Sequence, residues 1–307
     1  MSLKKYLTVF VVLLFVLSGT ALAEQKQTSA EYIQEQLNYY LDKLTPTQHS
    51  ALQERLKDEE KVSKSGYGIS FYRPTYVLPY YYTASPANAI YGSSTPDNQS
   101  IKNSEFKAQL SLGFPIWYHI LKSNYSLMGT YTQLSYWQFY AKSQYFRETD
   151  YEPELFIQTN FKKNWLASAG VVHESNGRGG DFERSWNRAF IDIEFSGEHW
   201  MISMRPWILI FKEASSDLHN PDIRKYLGNG RTVVAYKFNN TMELSFMFRN
   251  MVESGFKRGA YELDFAFPIH AKVSGFVQLF SGYGQSLIEY NHRTNAVGVG
   301  MSLSNWI

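Results

Sequence analysis

The chain ends on Val297-Gly298-Val299-Gly300-Met301-Ser302-Leu303-Ser304-Asn305-Trp306-Ile307. Val297, Val299, Met301 and Leu303 alternate with Gly298, Gly300, Ser302 and Ser304, and Ile307 keeps the apolar phase. Successive strand residues point to opposite faces, so this is a strand with one apolar face and one small or polar face. The same period of two recurs upstream. Phe106, Ala108, Leu110, Leu112, Phe114 and Ile116 alternate with Lys107, Gln109, Ser111 and Gly113. Met242, Leu244, Phe246 and Phe248 flank Glu243 and Ser245, and Tyr261, Leu263, Phe265 and Phe267 flank Glu262 and Asp264. Charges return on the second face in strand after strand.

Alternation of this kind suits a soluble β-sandwich as well as a membrane barrel. Three features favour the barrel: an export signal, aromatic residues at strand ends (Trp117-Tyr118, Trp200, Trp306), and a final strand at the end of the chain that can close the sheet. Closure removes the unpaired edge that hydrocarbon does not tolerate. Aromatics make up 17% of the chain, with 23 Tyr and 21 Phe, matching the girdles of an outer-membrane barrel. At roughly 20 residues per strand and turn, with about 10 crossing the bilayer, residues 67–307 hold about twelve strands. The expected fold is therefore all-β, an antiparallel transmembrane β-barrel. Its strands are expected near 68–82, 104–118, 124–140, 151–162, 164–176, 185–196, 199–212, 223–238, 240–252, 256–267, 270–283 and 288–307.

Residues 1–23 read as a secretory signal: Lys4 and Lys5, an apolar core from Tyr6 to Leu17, and Ala21-Leu22-Ala23 before the expected cleavage. Residues 24–66 form an N-terminal helical or flexible extension, expected in the periplasm. Thr28 and Glu31 are spaced as a capping box, and Thr45-Pro46 marks a second helix start continued by Leu52 and Leu56. Lys57 to Ser65 is charged and reads as loop. The formal net charge is +2, and removing the two signal lysines leaves the mature chain neutral. No basic excess points to nucleic acid. Without cysteine there is neither a disulfide framework nor a thiolate site.

One block carries chemistry. His173-Glu174-Ser175-Asn176-Gly177-Arg178 is followed by Arg184-Ser185-Trp186-Asn187-Arg188, across what reads as a hairpin. His173, Ser175 and Asn187 share the parity of the apolar residues Val171, Ala189, Ile191 and Ile193, so in a barrel they face lipid. His173 and Ser175 lie about 6–7 Å apart at Cα on one strand face. Centring the hairpin near residue 180 sets Asn187 opposite His173. An imidazole is the base suited to activating a serine near neutral pH, and an amide oxygen can orient the ring as the carboxylate does in a Ser-His-Asp triad. A neutral amide also avoids burying a carboxylate against acyl chains. The competing reading takes Ser-Asn-Gly as turn chemistry.

This block resembles the signature of the bacterial outer membrane phospholipase A family. Tyr131-Thr132-Gln133, Phe146-Arg147-Glu148-Thr149, Tyr151-Glu152-Pro153, Asn220-Pro221-Asp222-Ile223 and Ser281-Gly282-Tyr283-Gly284 are similar to that family as well. The resemblance spans 67–307. It implies a twelve-stranded outer-membrane barrel that hydrolyses acyl esters of phospholipids and lysophospholipids, requires Ca2+ and acts as a homodimer. Ser175 would be the nucleophile, His173 the base and then acid, and Asn187 the orienting group. The backbone N–H groups of Ser175 and Gly177 would assist the oxyanion. The resemblance also places calcium on the carbonyl of Arg178, the side chain of Glu183 and Ser143 across the dimer, and places Gln133 at the dimer interface. At Glu183 the sequence departs from the family's hydroxyl residue, but a carboxylate is a hard oxygen ligand too. Asp181 and Asp217 lie near where a second calcium can sit. The alternative is a non-catalytic barrel, a passive pore, although aqueous pores usually have 16–18 strands.

Overall fold

The computed structural model describes residues 51–64, 68–210, 219–238, 242–250, 252–270 and 272–307. The expected signal, the capping box at Thr28 and the helix start at Pro46 lie outside them, as does Asp217.

Twelve strands close into a barrel. They are β2 (Thr75–Thr83), β3 (Ser104–Trp117), β4 (Tyr125–Trp137), β5 (Phe146–Lys162), β6 (Trp165–Ser175), β7 (Ser185–Ser196), β8 (Trp200–Ile210), β9 (Gly230–Phe238), β10 (Met242–Arg249), β11 (Ala260–His270), β12 (Val273–Tyr283) and β13 (Arg293–Ser304). Each pairs antiparallel with its neighbour in sequence, and β13 pairs with β2 to seal the ring. A two-residue β1 (Ser70–Phe71) continues the line of β2 against β3. The connections on the side of the chain's C-terminus are short, and those on the opposite rim, where β6 turns into β7, are long.

The alternation sorts the two faces as the sequence implied. Val297, Val299, Met301 and Leu303 are exposed on the outer wall, while Thr294, Ala296 and Ser302 are buried towards the lumen. Aromatic rings cluster at both rims. Trp165 and Trp200 pack on Phe195 at the short-turn end, and Phe106 and Phe146 pack on Trp137 at the other.

Buried charge crosses the lumen. Arg147 pairs with Glu105 at 2.6 Å and Glu289 at 3.2 Å. Arg73 and Arg205 share Glu154, and Arg188 pairs with Glu174 at 2.6 Å. Pairing of this kind offsets the cost of burying these ions. The Arg205 guanidinium also lies 3.6 Å from the centre of the Phe190 ring, adding a cation–π contact.

Helix α1 (Ala51–Lys64) overturns the reading of Lys57 to Ser65 as loop, because the helix runs through Lys64. The charges that suggested loop stabilise helix instead: Arg55 with Glu59 and Glu60 with Lys64 are i,i+4 pairs. The helix docks on the short-turn rim. Leu52 is buried, Arg55 reaches Glu194 at 2.9 Å, and Gln158 donates to Glu59 at 2.7 Å.

Several strand starts also shift: β2 begins at Thr75 and β11 at Ala260, later than the expected 68 and 256. β5 begins at Phe146, earlier than expected. Residues 223–227 form a helix, α3 (Ile223–Leu227), rather than the start of β9, and β13 begins at Arg293. A four-residue helix, α2 (Asn88–Tyr91), lies in the β2–β3 connection.

Candidate active site

On β6, Leu166, Ser168 and Val172 are buried inward, while Val171 and His173 are exposed outward. On β7, Trp186, Arg188 and Phe190 face the lumen, and Ile191 is exposed on the outside. The register sets His173 opposite Asn187 and Ser175 opposite Ser185. His173, Ser175 and Asn187 therefore share the outer wall, near the long-loop rim.

His173 Nδ1 lies 2.8 Å from Asn187 Oδ1. An amide oxygen only accepts, so Nδ1 carries the hydrogen and Nε2 keeps a free lone pair. Among the described residues, the Ser175 hydroxyl bonds to no other protein group. Nucleophile–base hydrogen bonds are often loose before substrate binds.

Past Ser175 the chain turns sharply. Gly177 has φ +61°, and a Cβ there would meet the Tyr151 ring at 3.1 Å, so a side chain would be both strained and crowded. Among the described residues the Gly177 N–H donates to no protein acceptor. A 3-10 turn over Gly180–Phe182 returns the chain to β7. The Glu183 carboxylate is half-buried and enters no ion pair among the described residues. The Arg178 guanidinium turns inward to Glu148 at 2.9 Å, leaving its carbonyl on the loop. His219 approaches Asp181 at 3.4 Å.

Ser143 is in the β4–β5 connection, where its hydroxyl donates to Asp97 and its carbonyl accepts from Gln99. Gln133 lies on the outer face of β4. Its oxygen accepts from Tyr131 Oη at 2.9 Å, and its nitrogen donates to Ser135 Oγ at 3.1 Å. Thr149 on β5 donates to the same Ser135 hydroxyl at 3.2 Å. This is a polar row on a wall otherwise built for hydrocarbon.

The sequence reading missed two inward groups behind the site, Asn176 and Glu148. Asn176 is 4% exposed and joins both limbs of the loop, and the Glu148 side chain is fully buried beneath it. In the sequence alone Asn176 is only a turn residue. Its even position, in phase with the lumen-facing Glu174, was the available signal.

Among the described residues no three His, Cys, Asp or Glu side chains gather as a metal cluster. The loop carbonyl of Arg178 and the Glu183 carboxylate are hard oxygens, the ligand type calcium takes.

Known proteins are similar to this chain in sequence and fold. A family model described as phospholipase A1 matches residues 52–303. The phospholipase A1 of Klebsiella pneumoniae is 38% identical over 215 residues, covering 67% of this chain and 73% of that protein. Among solved structures, outer membrane phospholipase A from Escherichia coli superposes with a TM-score of 0.71 at 33% identity, covering 78% of this chain and 99% of that one. The outer membrane phospholipase of Salmonella typhi, solved as a dimer with bound calcium, also gives 0.71, at 32% identity over 78% of this chain and 94% of that one.

Proposed function

Because the chain belongs to the phospholipase A1 family and is an outer-membrane β-barrel phospholipase, we propose that Ser175, His173 and Asn187 are its catalytic triad, working on lipids that lie against the outer wall. The observation that carries this is the His173–Asn187 hydrogen bond, with Ser175 two residues along the same lipid-facing strand. Polar side chains facing hydrocarbon are costly unless they serve a purpose.

His173 Nε2 takes the proton of Ser175 Oγ as that oxygen attacks the ester carbonyl carbon. The imidazolium then passes the proton to the leaving glycerol oxygen as the C–O bond breaks, releasing the lysolipid. Water, deprotonated by the same imidazole, attacks the acyl–serine ester. The fatty acid leaves, and the proton returns to Ser175. Asn187 holds the Nδ1–H tautomer and the ring plane throughout. The backbone N–H groups of Ser175 and Gly177 would donate to the oxyanion, where preorganised dipoles contribute most. Lysophospholipids present the same ester and enter the same cycle.

The carbonyl of Arg178 and the carboxylate of Glu183 would hold calcium, and Ser143 of a second copy would add a ligand from outside the chain. When bound, the ion supplies fixed positive charge beside the oxyanion. The dimer with bound calcium of the Salmonella typhi phospholipase supports activity as a homodimer, with the outward Gln133 row at the contact. A shared site keeps a membrane-degrading enzyme silent until two copies meet.

Ser175→Ala, assayed for fatty-acid release from mixed micelles with calcium, is expected to lose at least ~10³-fold in turnover while remaining a folded barrel. Release at the wild-type rate would refute the assignment.

A further inference from the structure

Ser175 faces the membrane, but the next residue faces the lumen, and there its carboxamide is fully used. Asn176 Nδ2 donates to Glu148 Oε1 at 3.0 Å and to the carbonyl of Phe182 at 2.8 Å. Its Oδ1 accepts from the N–H of Arg184 at 3.0 Å and of Arg178 at 3.3 Å. Two donors and two lone pairs are thus all engaged, the most an amide can offer. The Asn176 backbone N–H adds a bond to the carbonyl of Arg184 at 3.1 Å. One side chain therefore ties the outgoing limb of the loop (176–178) to the returning limb (182–184).

The loop is also tied to the wall. Besides Asn176, Glu148 accepts from the N–H of Ile288 at 3.2 Å and from Arg178 Nε at 2.9 Å. The Arg178 guanidinium also donates to the carbonyl of Arg147 and lies 5.8 Å from the centre of the Tyr91 ring. The loop behind the nucleophile is thus bolted to β5 and to the 284–292 connection, all from inside the barrel.

We infer that Asn176 and Glu148 are positioning residues for hydrolysis. From the lumen side they fix the Ser175–Gly177 turn, so that the Ser175 hydroxyl and the Gly177 N–H are presented to the ester on the opposite side of the wall. Neither touches substrate. The inference rests on the reading of Ser175 as nucleophile. It adds that the outer-wall site is preorganised by a buried clamp one residue away, with its hydrogen bonds made before lipid arrives. An ~1 Å shift of a reacting group costs on the order of 10²-fold in rate, which sets the size of the expected effect.

The test uses the full-length barrel refolded in detergent. Its readouts are kcat, KM and the rate at which a sulfonyl fluoride labels Ser175, each per folded molecule as judged by migration on an unheated gel. Asn176→Asp sets a second carboxylate against Glu148 and removes both donors. It is expected to lower kcat and the labelling rate together by roughly 10²-fold, with KM within about twofold. Glu148→Gln in the same chain restores a donor facing a carboxylate, with the polarity reversed. The double variant is expected to recover at least roughly tenfold in both rates. Asn176→Asp with wild-type kcat and labelling rate would overturn the inference. So would a double variant no faster than the single one, because a loss that ignores the restored bond does not act through it. If Asn176→Asp does not fold, Glu148→Gln alone decides: a loss of about tenfold in labelling rate supports the clamp, and an unchanged rate overturns it. Ser175→Ala runs in parallel. Should it remain active, the nucleophile assignment fails. If it is inactive while Asn176→Asp behaves as wild type, only the clamp fails.

Discussion

Strands β6 and β7 carry opposite chemistries on their two faces. On the lumen side, Glu174 accepts from Trp186 Nε1 at 2.8 Å and Arg188 at 2.6 Å, and the Arg188 guanidinium lies 4.0 Å from the centre of the Trp186 ring. On the lipid side, one hydrogen bond joins His173 to Asn187, and both the Ser175 hydroxyl and His173 Nε2 keep capacity to spare. The inner groups use their polarity to hold the wall together, since an unpaired buried charge is expensive. The outer groups are polar where the solvent is apolar and are only partly paired, which suits groups kept free for a substrate. On the proposed assignment the paired lumen groups hold the wall and the outer groups react, with one backbone serving both.

The sharpest way to break this comparison is at the base. His173→Ala is expected to reduce fatty-acid release by roughly 10⁴-fold or more, because triad members act as a unit, while leaving unfolding in urea unchanged. Activity within tenfold of wild type would mean that the outer face is not the reactive one. The converse test is Arg205→Ala. It removes one of the two guanidiniums on the buried Glu154 carboxylate and the cation–π contact with Phe190. A loss of about 3 kcal/mol in unfolding free energy is expected, as for a broken buried pair, with kcat per folded molecule unchanged. A variant as stable as wild type would show that the lumen network is not what holds the wall. Asn187→Ala comes next, with a loss of roughly 10²-fold in kcat. In its proposed role it orients the base without exchanging a proton, so KM should move little; equal changes in kcat and KM would point instead to a role in lipid binding.

Much of this was legible because strand chemistry is local. Period-two alternation marked the strands and their apolar face, since every side chain on that face meets the same surroundings, and the export signal, aromatic strand ends and closing strand favoured a barrel over a sandwich. The pairing of His173 with Asn187 followed from parity and one hairpin, the two lying only 14 positions apart. Legibility failed where contacts run between loops. β5 begins at Phe146, ahead of the expected 151, and its added turn-end residue Arg147 pairs with Glu105 of β3 inside the lumen, two strands away. The expected start of β9 is instead a helical turn that buries Ile223 and Leu227, one helical turn apart, under the barrel rim. The Asn176–Glu148 clamp joins residues 28 apart through the lumen, which a strand-by-strand reading does not see. Helix α1 was divided at Lys57 because its second half is charged, yet those charges pair along the helix.

That helix carries the smallest expected effect and tests whether inward polarity is structural throughout. Glu59 is buried against the barrel, accepts from Gln158 and lies 3.7 Å from Arg55. Burial pushes its carboxyl above the ordinary range, and Arg55 and Gln158 offset this only in part. An acid whose folded pKa is raised binds its proton more tightly when folded. Its contribution is therefore most favourable below its unfolded value of about 4.3 and is lost as pH rises through the folded one. Glu59→Gln mimics the protonated form. It is expected to melt at the same temperature as wild type at low pH and slightly higher at neutral pH, with hydrolysis per folded molecule unaffected at both. A Tm difference that stays constant with pH would mean the carboxylate is docked in its charged state. Arg55 would then compensate it fully, making the rim another closed ion pair like those deeper in the lumen.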